Sequence, residues 1–267
     1  MNPFLKWMGG KKRILPQIKS FFPEKYENYY EVFLGGAAVF FSIENDNQKF
    51  VNDLNEEIIN LYRVIKDNPY ELMSQLDEYI KLYSKEFYYQ LRNEKFDCEI
   101  KRASRILFLN KSCFNGLYRT RRDGSFNTPI GSPIKTFYEK ENILGCSELL
   151  KKTEITNLDF EEVLSKTQKG DLVYCDPPYD PISSTSKFTT YNGKDFNKED
   201  HKRLFNSCYQ AYLRGAFIIL SHSSTEFIKD LYKDFPIHTL EIQRNISFKK
   251  ETRGKVEELI IVMNIDL

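Results

Sequence analysis

The sequence predicts an α/β protein, a doubly wound, Rossmann-like sheet interrupted by an inserted helical domain that carries a β-hairpin. Two observations carry this reading. First, short β-type runs at Tyr29 to Phe33, Lys49 to Asn52, Asp171 to Cys175 and Ala216 to Leu220 each end in a polar or Gly-containing turn that opens a helical pattern. Second, the chain from about Leu54 to Leu150 is helical or turn-like with no buried strand, and the β-α alternation resumes at Thr153 to Asn157.

Each element has a local reason. Leu54, Ile58, Leu61, Tyr62 and Ile65 repeat at helical spacing. Asn68-Pro69-Tyr70-Glu71 then offers an N-cap, a Pro at the first helical position and a Glu that closes a capping box, so a new helix starts there. Ser84 is a further candidate cap. After Ala216 to Leu220, runs at Ile237 to Gln243 and Glu257 to Ile265 predict an antiparallel hairpin at the sheet edge. Residues 1–57 and 152–267 are therefore expected to form one domain, with 58–151 inserted as a second.

The 267 residues suffice for such a pair of domains. No window approaches the run of about 18 apolar residues that a membrane helix needs, and Lys6, Lys11, Lys12 and Arg13 follow Met1 without a signal-peptide core. A cytoplasmic protein without a membrane partner is expected. Five scattered cysteines and three histidines contain no Cys-x-x-Cys pair, so neither a disulfide framework nor a metal site is expected. The net charge is only +1, yet Lys101, Arg102, Arg105, Lys111, Arg119, Arg121 and Arg122 form a run without an acidic residue. A second basic cluster stands at Lys249, Lys250, Arg253 and Lys255. Two such stretches suit a phosphate-facing surface, and equally two solvated faces.

Four segments carry candidate chemistry. Glu31-Val32-Phe33-Leu34-Gly35-Gly36-Ala37 places two glycines where a strand is expected to turn into a helix. There the backbone can approach a ligand and a helix N-terminus faces it, although a Gly-Gly pair also serves as a plain tight turn. The dinucleotide pattern Gly-x-Gly-x-x-Gly is absent. Asp53 ends the next strand, where an acidic side chain accepts ribose hydroxyls in nucleotide-binding folds; Asp53-Leu54-Asn55-Glu56 reads as well as a helix cap. Asn157-Leu158-Asp159-Phe160 repeats the geometry, with Asp159 an acceptor for an adenine amino group and Phe160 a surface for its ring, or Asp159 simply a cap.

The sharpest segment is Asp176-Pro177-Pro178-Tyr179 after Leu172-Val173-Tyr174-Cys175. A rigid Pro-Pro step at a strand's carboxyl end presents a carboxylate, a carbonyl and an aromatic ring together. That set suits an aromatic amine: two acceptors on the NH2 hydrogens make its nitrogen more nucleophilic while the ring stacks on the base. The bland alternative is a strand-ending turn with Tyr179 in the core.

Taken together and in this order, these segments resemble the Dam-type DNA adenine-N6 methyltransferases, the alpha group in which the cofactor motif precedes the catalytic motif and a target-recognition region lies between. The resemblance covers essentially the whole chain. Lys6-Trp7-Met8-Gly9-Gly10-Lys11 resembles the family's N-terminal cofactor motif, Phe33 to Phe40 its glycine loop, Asp53-Leu54-Asn55 its ribose motif and Asp176-Pro177-Pro178-Tyr179 its catalytic tetrapeptide. The resemblance implies S-adenosylmethionine as methyl donor, without a metal, bound by Trp7, Lys11, Phe33, Gly35, Asp53, Asp159, Phe160 and Asp176. Asp176, Pro177 and Tyr179 become the catalytic set. Outside the family, Trp7 reads as a core aromatic and Lys11 as a surface lysine at a helix start.

Between these motifs, Asp123-Gly124 is a hairpin turn signal, and Leu117 to Pro129 is expected to be a two-stranded ribbon narrow enough for a major groove. It resembles the family's recognition hairpin, which implies that Arg119 reads a guanine and that Leu117 and Pro129 touch target bases; a solvated basic hairpin is the alternative. Arg121 stands where the family often has Asn. The resemblance implies double-stranded DNA as substrate, GATC as target, a flipped adenine, and a cognate restriction endonuclease as a candidate partner. The segment Asp180 to Tyr191 resembles the part that closes over the extruded base, and Arg244-Asn245 with Lys249, Lys250 and Arg253 a phosphate-contacting loop. Ser221-His222 departs from the usual Ser-Asn and gives His222 no catalytic role. The rival from another class is an inert DNA-binding regulator on the same scaffold.

Overall fold

The computed structural model describes residues 1–121, 123–181, 190–191, 194–243 and 255–264. Its helices are α1 (Leu15–Lys19), α2 (Glu56–Asp67), α3 (Pro69–Lys81), α4 (Lys85–Asn93), α5 (Glu99–Ser112), α6 (Lys140–Lys151), α7 (Phe160–Ser165), α8 (Lys198–Leu213) and α9 (Glu226–Leu231). The strands are β1 (Tyr29–Glu31), β2 (Lys49–Asn52), β3 (Thr153–Thr156), β4 (Leu172–Cys175), β5 (Thr190–Tyr191), β6 (Lys194–Asp195), β7 (Phe217–Ser223), β8 (Ile237–Gln243) and β9 (Lys255–Met263). Seven strands form one mixed sheet in the order β3-β2-β1-β4-β7-β9-β8, and β5 and β6 pair separately. This is the Rossmann-like α/β class that the alternating pattern predicts. Two compact units divide the chain, one chiefly Met1–Lys12 and Leu34–Leu158, the other Arg13–Phe33 with the described residues from Asp159 onward.

In the first unit β2 and β3 run parallel, from Lys49 opposite Thr153 to Asn52 opposite Thr156. Asn55 caps α2 by accepting from the N–H groups of Glu57 and Ile58, which satisfies two otherwise orphaned donors. Ile58, Leu61, Tyr62 and Ile65 are fully buried, and α2 packs on α5 and α6. Leu54 departs from its expected place on that stripe: it precedes the cap and is 56% exposed. Helix α3 starts at Pro69 as predicted, but Asn68 makes no side-chain capping bond; its main-chain N–H closes α2 on Val64 O. Ser84 caps α4 through Phe87 N–H at 3.0 Å. Helix α5 buries nearly its whole circumference, and Phe108 stacks on Phe137 at 4.9 Å. Each such ring contributes about 1.5 to 3 kcal/mol by leaving water.

The basic run is not one surface. Arg102 pairs with Glu56 and Glu57, and Arg105 donates to the carbonyls of Leu91 and Arg92. These two arginines hold helices together. Lys111 is half-buried, and desolvation lowers its pKa. Lys101, Arg119 and Arg121 are exposed, and Arg122 lies outside the described residues.

The second unit holds the order β1-β4-β7-β9-β8. The first pairs are parallel, Tyr29 opposite Leu172 and Leu172 opposite Phe217, while β9 lies antiparallel to both β7 and β8. The expected edge hairpin therefore forms, with β8 outermost. All four residues of β4 are buried. Fully buried Asp171 registers its start, accepting from Asn28 N and Nδ2 on Oδ1 and from Gln168 N on Oδ2. Helix α8 opens with a capping box between Asn197 and Asp200.

Candidate active site

The glycine segment departs from the strand-to-helix expectation. After β1 ends at Glu31 the chain makes successive turns, and only a three-residue 3-10 helix, Phe40–Ser42, follows. The cause is local backbone: Gly35 has φ 46° and Ala37 φ 57°, and left-handed residues cannot begin a right-handed helix. No α-helix N-terminus exists there to face a ligand. What the glycines provide instead is room for Trp7, since a Cβ at Gly35 would lie 2.6 Å from Trp7 Nε1 and one at Gly36 2.8 Å from Trp7 Cβ. Trp7 itself is half-exposed rather than a core aromatic. Lys11 is only 4% exposed and donates from Nζ to Gly9 O at 2.7 Å, unlike a surface lysine at a helix start.

Asp53 is 2% exposed. Its Oδ2 accepts from Gly35 N at 2.8 Å and its Oδ1 from Asn55 N at 2.9 Å. The cap of α2 is Asn55, so the capping alternative for Asp53 falls away; its carboxylate instead ties the glycine turn to the end of β2. The glycine turn is also held by Tyr62, whose hydroxyl donates to Gly35 O at 3.0 Å. An anionic acceptor held by two main-chain donors fits the vicinal hydroxyls of a ribose.

The same unit contains the hairpin. Thr120 bridges Phe126, Arg121 N donates to Ser125 O, and Asn127 N to Arg119 O. Gly124 turns the chain with φ 80°, and Asp123 Oδ1 accepts from both Ser125 N and Oγ. The ribbon thus forms around the predicted Asp-Gly turn, held by isolated bridges rather than a long ladder. Arg119, Arg121 and Pro129 are exposed and Leu117 is half-buried. Residue Tyr118, which sequence reasoning missed, turns the other way: its ring lies 5.0 Å from that of Trp7, and burial pushes its hydroxyl up to about 12. Asn110, also missed, holds the Trp7 segment from the end of α5, accepting from Lys6 N and donating to Lys6 O.

In the second unit Asp159 caps α7 through Glu161 N–H and receives Arg203 at 3.1 Å. Phe160 is buried with its ring 5.8 Å from half-exposed Phe33, and the Arg203 guanidinium lies over it at 4.8 Å. These flat apolar rings beside an acceptor have the chemistry of an adenine-binding wall.

Asp176 follows β4 directly and is half-buried, with Pro177 buried and Tyr179 half-buried. Ser221 Oγ donates to Asp176 Oδ1 at 2.8 Å and lies 3.1 Å from the Tyr174 hydroxyl. Tyr174 therefore supplies its proton to Ser221, and the chain of bonds ends on the carboxylate. Burial, then the negative charge of Asp176, raises the Tyr174 pKa well above its usual value, so it stays a donor. Tyr179 Oη donates to Glu258 Oε1 at 2.8 Å, and its ring stacks on His222. Tyr179 is thus held at the margin of the core, partly exposed, by Glu258 and His222. Tyr174 and Glu258 carry no sequence signal of their own, and the role of Ser221 within its Ser-His segment shows only when strand pairing brings it beside Asp176. Lys249, Lys250 and Arg253, Arg244-Asn245 and most of the segment from Asp180 to Tyr191 lie outside the described residues. Among the described residues no group of three metal-ligating side chains occurs, and no helix is long and apolar enough to cross a membrane.

Comparison with known proteins agrees with this chemistry. The chain is 41% identical over 270 residues to the type II methyltransferase M1.LlaDCHI of Lactococcus lactis subsp. cremoris, covering 98% of this chain and 95% of that one. It is 36% identical to the type II methyltransferase M.MjaIII of Methanocaldococcus jannaschii, over 99% of both chains. Identity to a DNA adenine methylase of Vibrio cholerae is 30%, over 96% of this chain and 94% of the other. The model of the D12 class N6 adenine-specific DNA methyltransferases matches residues 7–246. With that match over most of the chain and relatives of 30–41% identity along nearly its whole length, the chain belongs to that family and is an adenine-specific DNA methyltransferase dependent on S-adenosylmethionine.

Proposed function

We propose that the enzyme methylates N6 of an adenine flipped out of duplex DNA, with GATC as its site. Residues 58–151 act in target recognition, and residues 1–57 and 152–267 in catalysis. The observation that carries the reading is the Asp176 carboxylate, braced by Ser221 beside the rigid Pro177-Pro178 step and Tyr179. When bound, S-adenosylmethionine supplies an electrophilic methyl group. Asp176 and the Pro177 carbonyl accept the two N6 hydrogens, drawing the nitrogen lone pair out of ring conjugation, and Tyr179 stacks on the base. Methyl transfer forms the N6–carbon bond as the sulfonium S–C bond breaks, and the surplus N6 proton would leave through the Asp176 carboxylate to solvent. Catalysis is then positioning and charge placement, with no covalent intermediate. Extruding the base costs a few kcal/mol of stacking and pairing.

Trp7, Lys11, Phe33, Gly35, Asp53, Asp159, Phe160 and Asp176 serve the cofactor. Asp53 takes the ribose hydroxyls; Phe33 and Phe160 take the adenine ring. On the DNA, the exposed Arg119 has the two-pronged donor geometry for guanine O6 and N7, with Leu117 and Pro129 beside neighbouring bases. Arg121 and Arg122, with Lys249, Lys250 and Arg253, neutralise phosphates. The type II names of two relatives support a restriction endonuclease of the same site as partner, in the cytoplasm. The deciding experiment is sequencing of duplex DNA treated with the purified enzyme and S-adenosylmethionine, read for modified adenines. N6-methyladenine confined to GATC is the expected result; methylation of a different adenine-containing site overturns the tetranucleotide, and no methylation overturns the enzyme in favour of an inert binder.

A further inference from the structure

His222 is the sixth residue of β7 and is 1% exposed. Its ring lies nearly parallel to that of Tyr179, with centroids 5.0 Å apart and an interplanar angle of 20°. The imidazole is held from both ends. Ser223 meets His222 Nδ1 twice, through its N–H at 2.8 Å and through its Oγ at 3.2 Å, and that Oγ donates onward to Asp180 O at 2.7 Å. At the other end, His222 Nε2 lies 3.2 Å from His201 Nδ1, and His201 Nε2 meets no hydrogen-bond partner among the described residues. His201 is buried and wedged edge-on against Phe196 and Phe227.

What the arrangement does is limit Tyr179. The terminal torsion of a tyrosine is soft, and a bond from its hydroxyl to Glu258 anchors one point of the ring. A flat neighbour against the ring face removes the remaining rotation. We propose that His222 is a positioning residue for methyl transfer: its imidazole face, locked by Ser223 and His201, sets the plane of Tyr179. This rests on the stacking role given to Tyr179 above.

The test is a double-mutant cycle on the full-length enzyme, measuring kcat, KM for duplex DNA and Kd for S-adenosylmethionine. Tyr179→Ala is expected to lower kcat about tenfold, and His222→Ala about three- to tenfold with cofactor Kd unchanged. In the Tyr179→Ala background, His222→Ala should add less than about twofold, since residues acting through one contact are not additive. His222→Phe keeps a flat face and should stay within about threefold of wild-type kcat, while His222→Asn keeps an acceptor for Ser223 but no ring and should not. Losses that multiply in the double variant overturn the proposal, as does a fully active His222→Asn. An unchanged kcat in Tyr179→Ala overturns the stacking role itself and this inference with it. Should His222→Ala fail to fold, the Phe and Asn variants decide.

Discussion

Ser221 Oγ donates to Asp176 Oδ1 at 2.8 Å, across 45 residues of sequence. The parallel register makes this unavoidable: Cys175 lies opposite Leu220, so the next residue on each strand arrives at the same level. A hydroxyl from one strand thereby orients the carboxylate presented by the other.

Two variants separate chemistry from orientation. Asp176→Ala should lower the methyl-transfer rate at least about a hundredfold while specific DNA binding survives, since it removes an acceptor aimed at the reacting group. Ser221→Ala leaves the carboxylate but removes one bond that orients it and should cost about tenfold in kcat. Single-turnover kinetics beside a DNA-binding assay report both. Near-normal turnover by Asp176→Ala would sink the mechanism.

Asp53→Ala should weaken both cofactor binding and the fold. The carboxylate ties Gly35 and Asn55 and in the proposed function also takes the ribose, so the expected loss is about 1 to 3 kcal/mol in cofactor affinity together with a lower Tm. Asn55→Ala removes the α2 cap and should lower stability by about 1 kcal/mol. Calorimetric titration and a melting curve on each variant make the comparison; full cofactor affinity in Asp53→Ala argues that the carboxylate is purely structural.

Arg119→Ala should lose about 1 to 3 kcal/mol of preference for the guanine beside the methylated adenine and accept other bases there. Lys249→Ala should instead weaken binding to all sequences alike and reduce its salt dependence. Sequencing of methylated DNA reads the first effect and salt titration the second. Methylation by the wild type at adenines lacking a 5′ guanine would remove the role given to Arg119.

Stability should fall in mild acid because of His201. Burial lowers its pKa to about 4 from 6.5, so between those values the unfolded chain binds a proton that the native state refuses. The contribution is present in full above about pH 6.5 and is lost as the pH drops towards 4, amounting to about 2 to 3 kcal/mol. Denaturant melts at pH 7 and pH 5 should show a steeper loss for the wild type than for His201→Phe. Parallel losses in the two proteins would count against a buried neutral His201.

Much of the architecture was legible in residue pattern alone. Lys49–Asn52 and Ile237–Gln243 form strands with the predicted bounds, Ser84 caps its helix, and Asp123-Gly124 turns the hairpin, because each depends on neighbours a few residues away. The ordered motifs likewise determined the family and the tetrapeptide Asp176-Pro177-Pro178-Tyr179. Only the tertiary structure decided the rest. Asp53 read equally as a helix cap, and the distant N–H of Gly35 drew its carboxylate away and left the cap to Asn55. The helix expected after the glycines gave way to turns with positive φ where Trp7 packs against them. Arg102 and Arg105 read as a phosphate surface and became internal ties once α2 and α4 supplied their partners. In each case several local conformations compete within a kcal/mol or so, a margin smaller than one buried charge-assisted hydrogen bond or one well-packed ring contributes, so contacts remote in sequence make the choice.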